Sequence, residues 1–207
     1  KPKITPNAVI MLKQMPPKIT SGILTDSNRQ IDQIFAAQLT AGSVTALGAG
    51  ARIPSFILSF SMVAMGNVLL PYFSKKIQEN QRLAFKELFR ILKIVFVIGL
   101  FVTGLFFLFS EEIIALLYQR KQFTAADTVM VSTIQQIILV YVPFYLCGNL
   151  LGKFLTSINK NSFMAWVSLF NLCTNLLFNF IFVKLYGVCG LAISTSLVIT
   201  ISSFIYF

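Results

Sequence analysis

Long apolar runs, separated by short charged segments, occupy most of this sequence. An α-helix needs about 20 mostly apolar residues to cross the hydrocarbon core of a bilayer. Five runs meet this requirement clearly, at approximately 44–73, 91–109, 128–151, 162–183 and 188–207. The pattern therefore predicts an all-α, polytopic membrane protein.

A sixth segment, at 19–39, is less apolar because it contains Asp26, Arg29 and Asp32. Hydropathy alone is also compatible with a helix on the membrane surface. If the segment crosses, however, twelve basic residues fall on one side of the membrane and three on the other. Cytoplasmic segments of membrane proteins carry the excess of Lys and Arg. We therefore predict six transmembrane helices, with the N-terminal segment in the cytoplasm.

Two shorter segments are predicted to lie at the membrane interface. Residues 74–90 intersperse apolar with basic positions, which is typical of a helix lying on the cytoplasmic surface. On the opposite side, Glu111–Tyr118 followed by Arg120–Asp127 is predicted to form a second interfacial turn. Thr124 is a candidate N-cap for the next helix. The chain, 1–207, is predicted to form a single six-helix lobe. Because it begins without Met and ends inside an apolar run, we expect it to be part of a longer protein.

Composition narrows the class of function. Hydrophobic residues make up 56% of the chain and charged residues 12%, against about 25% charged residues in soluble domains. The net charge of +10 comes mainly from segments between the apolar runs, so it indicates topology before nucleic-acid binding. The absence of histidine excludes Ser-His-Asp and Cys-His catalysis and histidine metal sites. We predict that the protein is not an enzyme.

The three cysteines have no metal-binding or redox spacing. Cys147, Cys173 and Cys189 all lie in apolar runs, and no C-x-x-C pattern is present. They are predicted to be buried structural thiols.

Ionisable residues in the first predicted span are candidate functional groups. Asp26, Arg29 and Asp32 are spaced three residues apart, which allows Arg29 to pair with either carboxylate on the helix surface. One reading is a structural ion pair that neutralises itself. The other is that Asp32, left as a spare carboxylate, binds a cation or a proton.

Arg52 lies inside the second predicted span and is followed by Ile53 and Pro54. Its side chain could extend outward to the membrane interface and have no further role. If it faces a cavity instead, its planar guanidinium suits a phosphate-bearing substrate.

Three asparagines form a stripe on the fifth predicted span. Asn171, Asn175 and Asn179 are four residues apart, and Ser168 lies near the start of the same stripe. Amides on one face of an apolar helix are expected to face protein, because lipid offers them no partners. They serve either as interhelical hydrogen bonds or, with Asp32 and Thr195, as oxygen ligands of a cation site.

Three stretches resemble the MurJ (MviN) family of lipid II flippases. The first is Gly42–Leu47 followed by Arg52. The second, Leu117–Thr128, is similar to that family's LFxRGxFTxxDT segment, and the third, Gly187–Ser196, to its GxxGLAxxTS segment. The resemblance runs in order over nearly the whole chain.

This resemblance implies a fold and a function. The family belongs to a superfamily that includes multidrug and oligosaccharide-lipid transporters (the MATE/MOP type), with two six-helix lobes around a central cavity and an alternating-access cycle. It implies that this chain is the second lobe. It also implies that the protein moves lipid II, the undecaprenyl-diphosphate-linked peptidoglycan precursor, from the inner to the outer leaflet of the bacterial plasma membrane.

The resemblance also implies site residues. Arg52 matches a cavity arginine expected to hold the substrate head group, and Arg29 is a second candidate. Some members bind sodium at the positions of Asp32, Asn175, Asn179 and Thr195. A proton gradient or the membrane potential is the alternative driving force, and no other metal or cofactor is expected. The chain departs from the family pattern at Ala49, Ala51, Lys121 and Asn179.

Other functions stay open at this point. The chain could belong to a flippase for another polysaccharide lipid, to a multidrug exporter, or to a scaffold that recruits cell-wall synthases without transporting. The expected partners are a lipid-linked diphosphate, membrane lipids, the other lobe and proteins of cell-wall synthesis, with no nucleic acid.

Overall fold

The computed structural model describes residues 6–120 and 123–207, and the side chains within these ranges other than those of 6–11, 13 and 64. This part of the chain folds into helices and short connections, without strands. The helices are α1 Pro6–Ala37, α2 Ser43–Glu79, α3 Gln81–Leu108, α4 Ser110–Tyr118, α5 Ala125–Ser157, α6 Asn161–Tyr186 and α7 Val188–Tyr206.

Five of these helices are long and apolar enough to cross a membrane: α2, α3, α5, α6 and α7. They contain, to within one residue at each end, the five spans that the apolar runs predict most clearly. The sixth predicted span, 19–39, lies within α1 except for its last two residues, but the polar positions of α1 keep it outside this group. α1 packs mainly against α6. The chain is an all-α, multi-pass membrane protein, and the crossing of the bilayer by α1 stays a prediction.

The interfacial helix predicted at 74–90 is not a separate element. α2 continues to Glu79, and α3 begins at Gln81, so the segment is divided between two long helices. The break is at Asn80, whose backbone is extended (φ −163°, ψ 110°). Its side-chain oxygen accepts hydrogen bonds from the backbone nitrogens of Arg82, at 3.0 Å, and Leu83, at 3.3 Å. Asparagine at this position caps the next helix, which a hydropathy pattern does not reveal.

The predicted cap of the fifth helix is confirmed. Thr124 Oγ1 accepts a hydrogen bond from the Asp127 backbone nitrogen at 3.3 Å, and the Asp127 carboxylate accepts one from the Thr124 nitrogen at 2.8 Å. This reciprocal pair is a capping box. Two residues of the preceding motif, Lys121 and Gln122, lie outside the described residues.

α5 is the central helix of the bundle. Near its middle, Leu139 and Val142 are fully buried in a cluster that includes Leu58 of α2 and Ala192 of α7. Towards its end, α5 contributes to a second cluster that includes Phe73 of α2 and buried residues of α3. A small residue allows α2 to approach α5 closely, since a Cβ at Gly50 would lie 2.7 Å from Ile134 Cγ2.

Much of the outer surface is apolar. Phe60, Phe101 and Trp166 are 74%, 75% and 71% exposed, which suits side chains that face lipid. The same environment corrects the prediction of three buried thiols. Cys147 and Cys189 are partly buried, but Cys173 is exposed on α6, because an apolar position in a membrane helix can face lipid as well as protein.

Candidate functional site

A cavity of about 1360 Å³ lies between α1, α2, α5, α6 and α7. Its wall is mixed, since apolar side chains alternate with hydroxyl, amide and charged groups. The cavity wall includes five of the six residues that the sequence nominates, namely Arg29, Asp32, Arg52, Asn175 and Thr195. The sixth, Asn179, is fully buried against Asp32.

Asp32 is the centre of a polar cluster that joins three helices. Its Oδ1 accepts hydrogen bonds from the side-chain nitrogens of Asn179, at 2.7 Å, and Asn175, at 3.3 Å. Its Oδ2 accepts one from the hydroxyl of Thr195 at 2.7 Å. The Asn179 nitrogen also donates to Asn175 Oδ1 at 3.1 Å. The carboxylate of α1 is therefore held by α6 and α7 through neutral donors.

This arrangement contradicts the first of the two readings of α1, an ion pair of Arg29 with a neighbouring carboxylate. Within the described residues, Arg29 forms no salt bridge with Asp26 or Asp32, and the one salt bridge found joins Lys76 and Glu79. Asp32 turns away from Arg29, towards α6 and α7, where three donors satisfy its oxygens. Helical spacing permits an ion pair of this kind but does not require it.

The two predicted arginines both reach the cavity. Arg29 projects from α1 and Arg52 from α2, and both side chains are exposed in its wall. Arg52 lies nine residues beyond the start of α2, which places it about 13 Å along the helix. Because neither guanidinium has a carboxylate partner among the described residues, both are free to receive an anion.

The asparagine stripe has a divided role. Asn175 and Asn179 bind Asp32, whereas Asn171 lines the cavity and its Oδ1 has no hydrogen-bond partner among the described residues. Ser168, at the start of the stripe, pairs with Ser21 of α1 through hydroxyls 2.7 Å apart. The face therefore connects α6 to α1 over its length, as an interhelical role requires.

Sequence reasoning missed two cavity lysines. Lys18 and Lys153 line the cavity together with the two arginines. The sequence places both lysines outside the predicted spans, where they indicate topology alone. Among the described residues the acids of the cavity wall are Asp26 and Asp32, so with all groups ionised four positive charges face two negative ones.

Sequence reasoning also missed a polar stripe on α5. Tyr141, Tyr145, Asn149 and Lys153 line the cavity at intervals of four residues. Residues four apart lie one above another on a helix. The spacing was visible in the sequence, inside a run that otherwise reads as an apolar span.

The Asp32 cluster has a donor set that suits a small hard cation. The carboxylate of Asp32, the two amide oxygens and the Thr195 hydroxyl are all oxygen ligands. Asn179 Oδ1 is buried and has no hydrogen-bond partner among the described residues, so one oxygen is available. In that part of the chain no group of three or more His, Cys, Asp or Glu residues could hold a metal. Neutral oxygens with a single carboxylate are ligands that a monovalent cation such as sodium can use, and sodium binding here stays a prediction.

Comparisons with known proteins identify relatives of this chain. The family model described as lipid II flippase MurJ matches residues 3–207. A Rhizobium tropici protein described as "Probable lipid II flippase MurJ" is 31% identical over 146 residues, 70% of this chain and 27% of that protein. A Helicobacter pylori (strain 26695) protein of the same description is 29% identical over 200 residues, 88% of this chain and 42% of that protein.

Solved structures share the fold. A lipid II flippase MurJ structure in an inward closed conformation has a TM-score of 0.76 and 19% identity, covering 90% of this chain and 40% of that one. A MATE multidrug transporter in an outward-facing conformation has a TM-score of 0.78 and 14% identity, covering 95% and 43%. The chain thus spans less than half the length of these proteins. Since the family model covers nearly all of its residues, the chain belongs to the lipid II flippase MurJ family.

Proposed function

We propose that this chain is one lobe of a two-lobe flippase that moves lipid II from the inner to the outer leaflet of the bacterial plasma membrane. In this proposal the N-terminal end of the chain is cytoplasmic, and the cavity between its helices forms half of the transport path. The observation that carries the proposal is the excess of unpaired positive charge in that cavity, in a member of this family.

The chemistry of a lipid diphosphate explains why such a cavity is needed. An unpaired charge costs tens of kcal/mol to bury in hydrocarbon in the idealised Born limit. Guanidinium groups replace water by donating charge-assisted, bidentate hydrogen bonds to phosphate oxygens. Arg52 and Arg29 would hold the diphosphate in this way, while the prenyl tail stays in lipid. Rocking of the two lobes then alternates access between the two sides.

The Asp32 cluster is proposed as the coupling site. Asp32, Asn175, Asn179 and Thr195 would hold sodium, which supplies one positive charge to balance the carboxylate. The cluster joins α1 to α6 and α7, so a change in its charge would alter how α1 packs against these two helices. The membrane potential is a further source of energy, at about 2.3 kcal/mol per charge per 100 mV.

A multidrug exporter fits the cavity less well. Exporters of cationic drugs require acidic groups free to meet the drug. Here Asp32 already accepts three hydrogen bonds, and Asp26 is the one other acid described in the cavity wall. The four basic side chains of the wall would also repel a cation. A scaffold without transport gives no reason for unpaired arginines in the cavity.

The test is performed on the two-lobe protein in its own cell. After depletion, a lipid II hydrolase added outside the cell should no longer reach lipid II, and a wild-type copy should restore access. Arg52→Ala should fail to restore it at normal abundance. Arg82→Ala is the matched control, since Arg82 is exposed in the first turn of α3 and lies outside the cavity wall. Lipid II that stays accessible after depletion would overturn the proposal.

A further inference from the structure

The end of the cavity near Lys153 carries two lysines from different helices. Lys18 projects from α1, and Lys153 from the last turns of α5. The Lys153 ammonium lies against Gly66 of α2, where an added Cβ would be 3.8 Å from Nζ. α2 and α5 therefore meet at the Lys153 ammonium, and α1 brings Lys18 to the same cavity.

No acid among the described residues pairs with either lysine. The cavity acid that follows on α1 is Asp26, eight residues and about 12 Å further along the helix. Desolvation at the cavity wall and then the Lys153 ammonium lower the pKa of Lys18. Two neighbouring ammonium groups without a counter-charge favour the binding of an anion that carries more than one charge.

A neutral donor completes the site. Asn149 lies one turn before Lys153 on the same face of α5, and its Nδ2 is buried with no hydrogen-bond partner among the described residues. The next residue of the stripe is Tyr145, and among the described residues its hydroxyl has only the sulfur of Met62 as a partner, at 3.8 Å. Donors therefore continue from the lysines into the cavity.

The Lys153 ammonium is well separated from Arg52. Gly66, which marks the level of Lys153 on α2, is fourteen residues beyond Arg52. This separation corresponds to about 21 Å along the helix. A single diphosphate group cannot contact both positions at once.

We infer that Lys18, Lys153 and Asn149 form a separate binding site for the diphosphate of a prenyl-linked substrate, which receives it on the cytoplasmic side before Arg52 does. This inference rests on the proposed function and adds a first station to the transport path. The chemistry recognised is a diphosphate, either attached to a prenyl chain or free in solution, and the experiment separates these sources.

Binding to the purified two-lobe protein in phosphatidylcholine nanodiscs tests the inference. The probes are farnesyl diphosphate, farnesol and inorganic pyrophosphate, measured by calorimetry. Lys18→Gln and Lys153→Gln should each weaken the binding of farnesyl diphosphate about tenfold, equivalent to about 1.4 kcal/mol. Neither should change the binding of farnesol. Lys18→Arg and Lys153→Arg should retain most of the affinity, which controls for misfolding. Lys160→Gln, an exposed position before α6 outside the cavity wall, should bind like wild type.

The outcomes separate this site from the proposed function. If wild type restores lipid II access in cells but both glutamine variants bind farnesyl diphosphate normally, the site is wrong and the function stands. An equal loss in Lys160→Gln would also overturn the site, since general surface charge would explain the binding. Pyrophosphate binding as tight as farnesyl diphosphate would assign the lysines to a free anion, against the inference. If the wild-type copy does not restore lipid II access in cells, but farnesyl diphosphate binding still depends on the two lysines, the proposed function is wrong and the diphosphate site remains.

Discussion

Asn179 donates a hydrogen bond of 2.7 Å to Asp32 across 147 positions of sequence. The two residues lie on α6 and α1, and Thr195 of α7 closes the other side of the carboxylate at the same distance. α1 is the least apolar of the long helices and falls outside those that qualify as membrane spans. Polar contacts to α6 and α7 therefore supply part of the attachment of α1 to the bundle.

Replacement of Asn179 tests this attachment. Asn179→Ala removes one donor from a buried carboxylate, and the loss of a partner for a buried polar group costs about 1–3 kcal/mol. We expect a lower unfolding temperature of the purified two-lobe protein. Asn171→Ala is the matched control on the same face of α6, because Asn171 does not bind Asp32. Equal destabilisation by the two substitutions would contradict a special role for the Asp32 cluster.

Sodium should stabilise the protein through the same cluster. A ligand that binds only the folded state, at about 100 times its dissociation constant, adds about 2.7 kcal/mol. The unfolding temperature should therefore be higher in sodium chloride than in choline chloride of the same ionic strength. Asp32→Asn removes the carboxylate and should abolish the difference.

Asp26→Asn is the control for this measurement. Asp26 also lines the cavity on α1 but forms no hydrogen bond within the Asp32 cluster. The sodium effect should persist in this variant. A sodium effect that survives Asp32→Asn would place the ion elsewhere.

How far the sequence predicts this molecule depends on the kind of interaction. The five apolar helices could be predicted, because each apolar run must be buried against lipid or protein. The residues around Asp32 could also be proposed, since amides in an apolar helix need partners. The rotamer of Asp32 could not, because the spacing of Arg29 and the donors of α6 both offer partners and only the packed bundle selects one.

The lysines of the cavity mark another limit. Lys18 and Lys153 lie at the ends of predicted spans, where a positive charge is expected for topology alone. Their convergence depends on how α1 and α5 pack, which a single sequence does not specify. Asn80 is a similar case, because its capping role requires knowledge of where α2 ends.

Close packing of α2 against α5 should make Gly50 intolerant of a side chain. A Cβ at Gly50 would lie 2.7 Å from Ile134 Cγ2 and 3.1 Å from the Val131 carbonyl oxygen. Overpacking of this kind costs about 1–3 kcal/mol, so Gly50→Ala should lower the unfolding temperature. Gly48→Ala, two residues earlier on the same helix, meets nothing within 4 Å. It should be neutral or slightly stabilising, since Ala favours helix by about 1 kcal/mol over Gly. Similar losses in both variants would argue against this helix contact.

The capping box at the start of α5 gives the last prediction. Thr124 Oγ1 satisfies the Asp127 backbone nitrogen, one of the donors that the first turn of a helix leaves unpaired. Thr124→Ala removes that acceptor and should cost about 1 kcal/mol, whereas Thr124→Ser keeps the hydroxyl and should recover most of the loss. Thr133→Ala is the control within the same helix, since the Thr133 hydroxyl bonds only the Val129 carbonyl one turn before it. Fraying of the first turn of α5 should appear as faster hydrogen exchange of the backbone amides after Thr124. Unchanged exchange in Thr124→Ala would show that packing against α2 and α4 holds this turn without the cap.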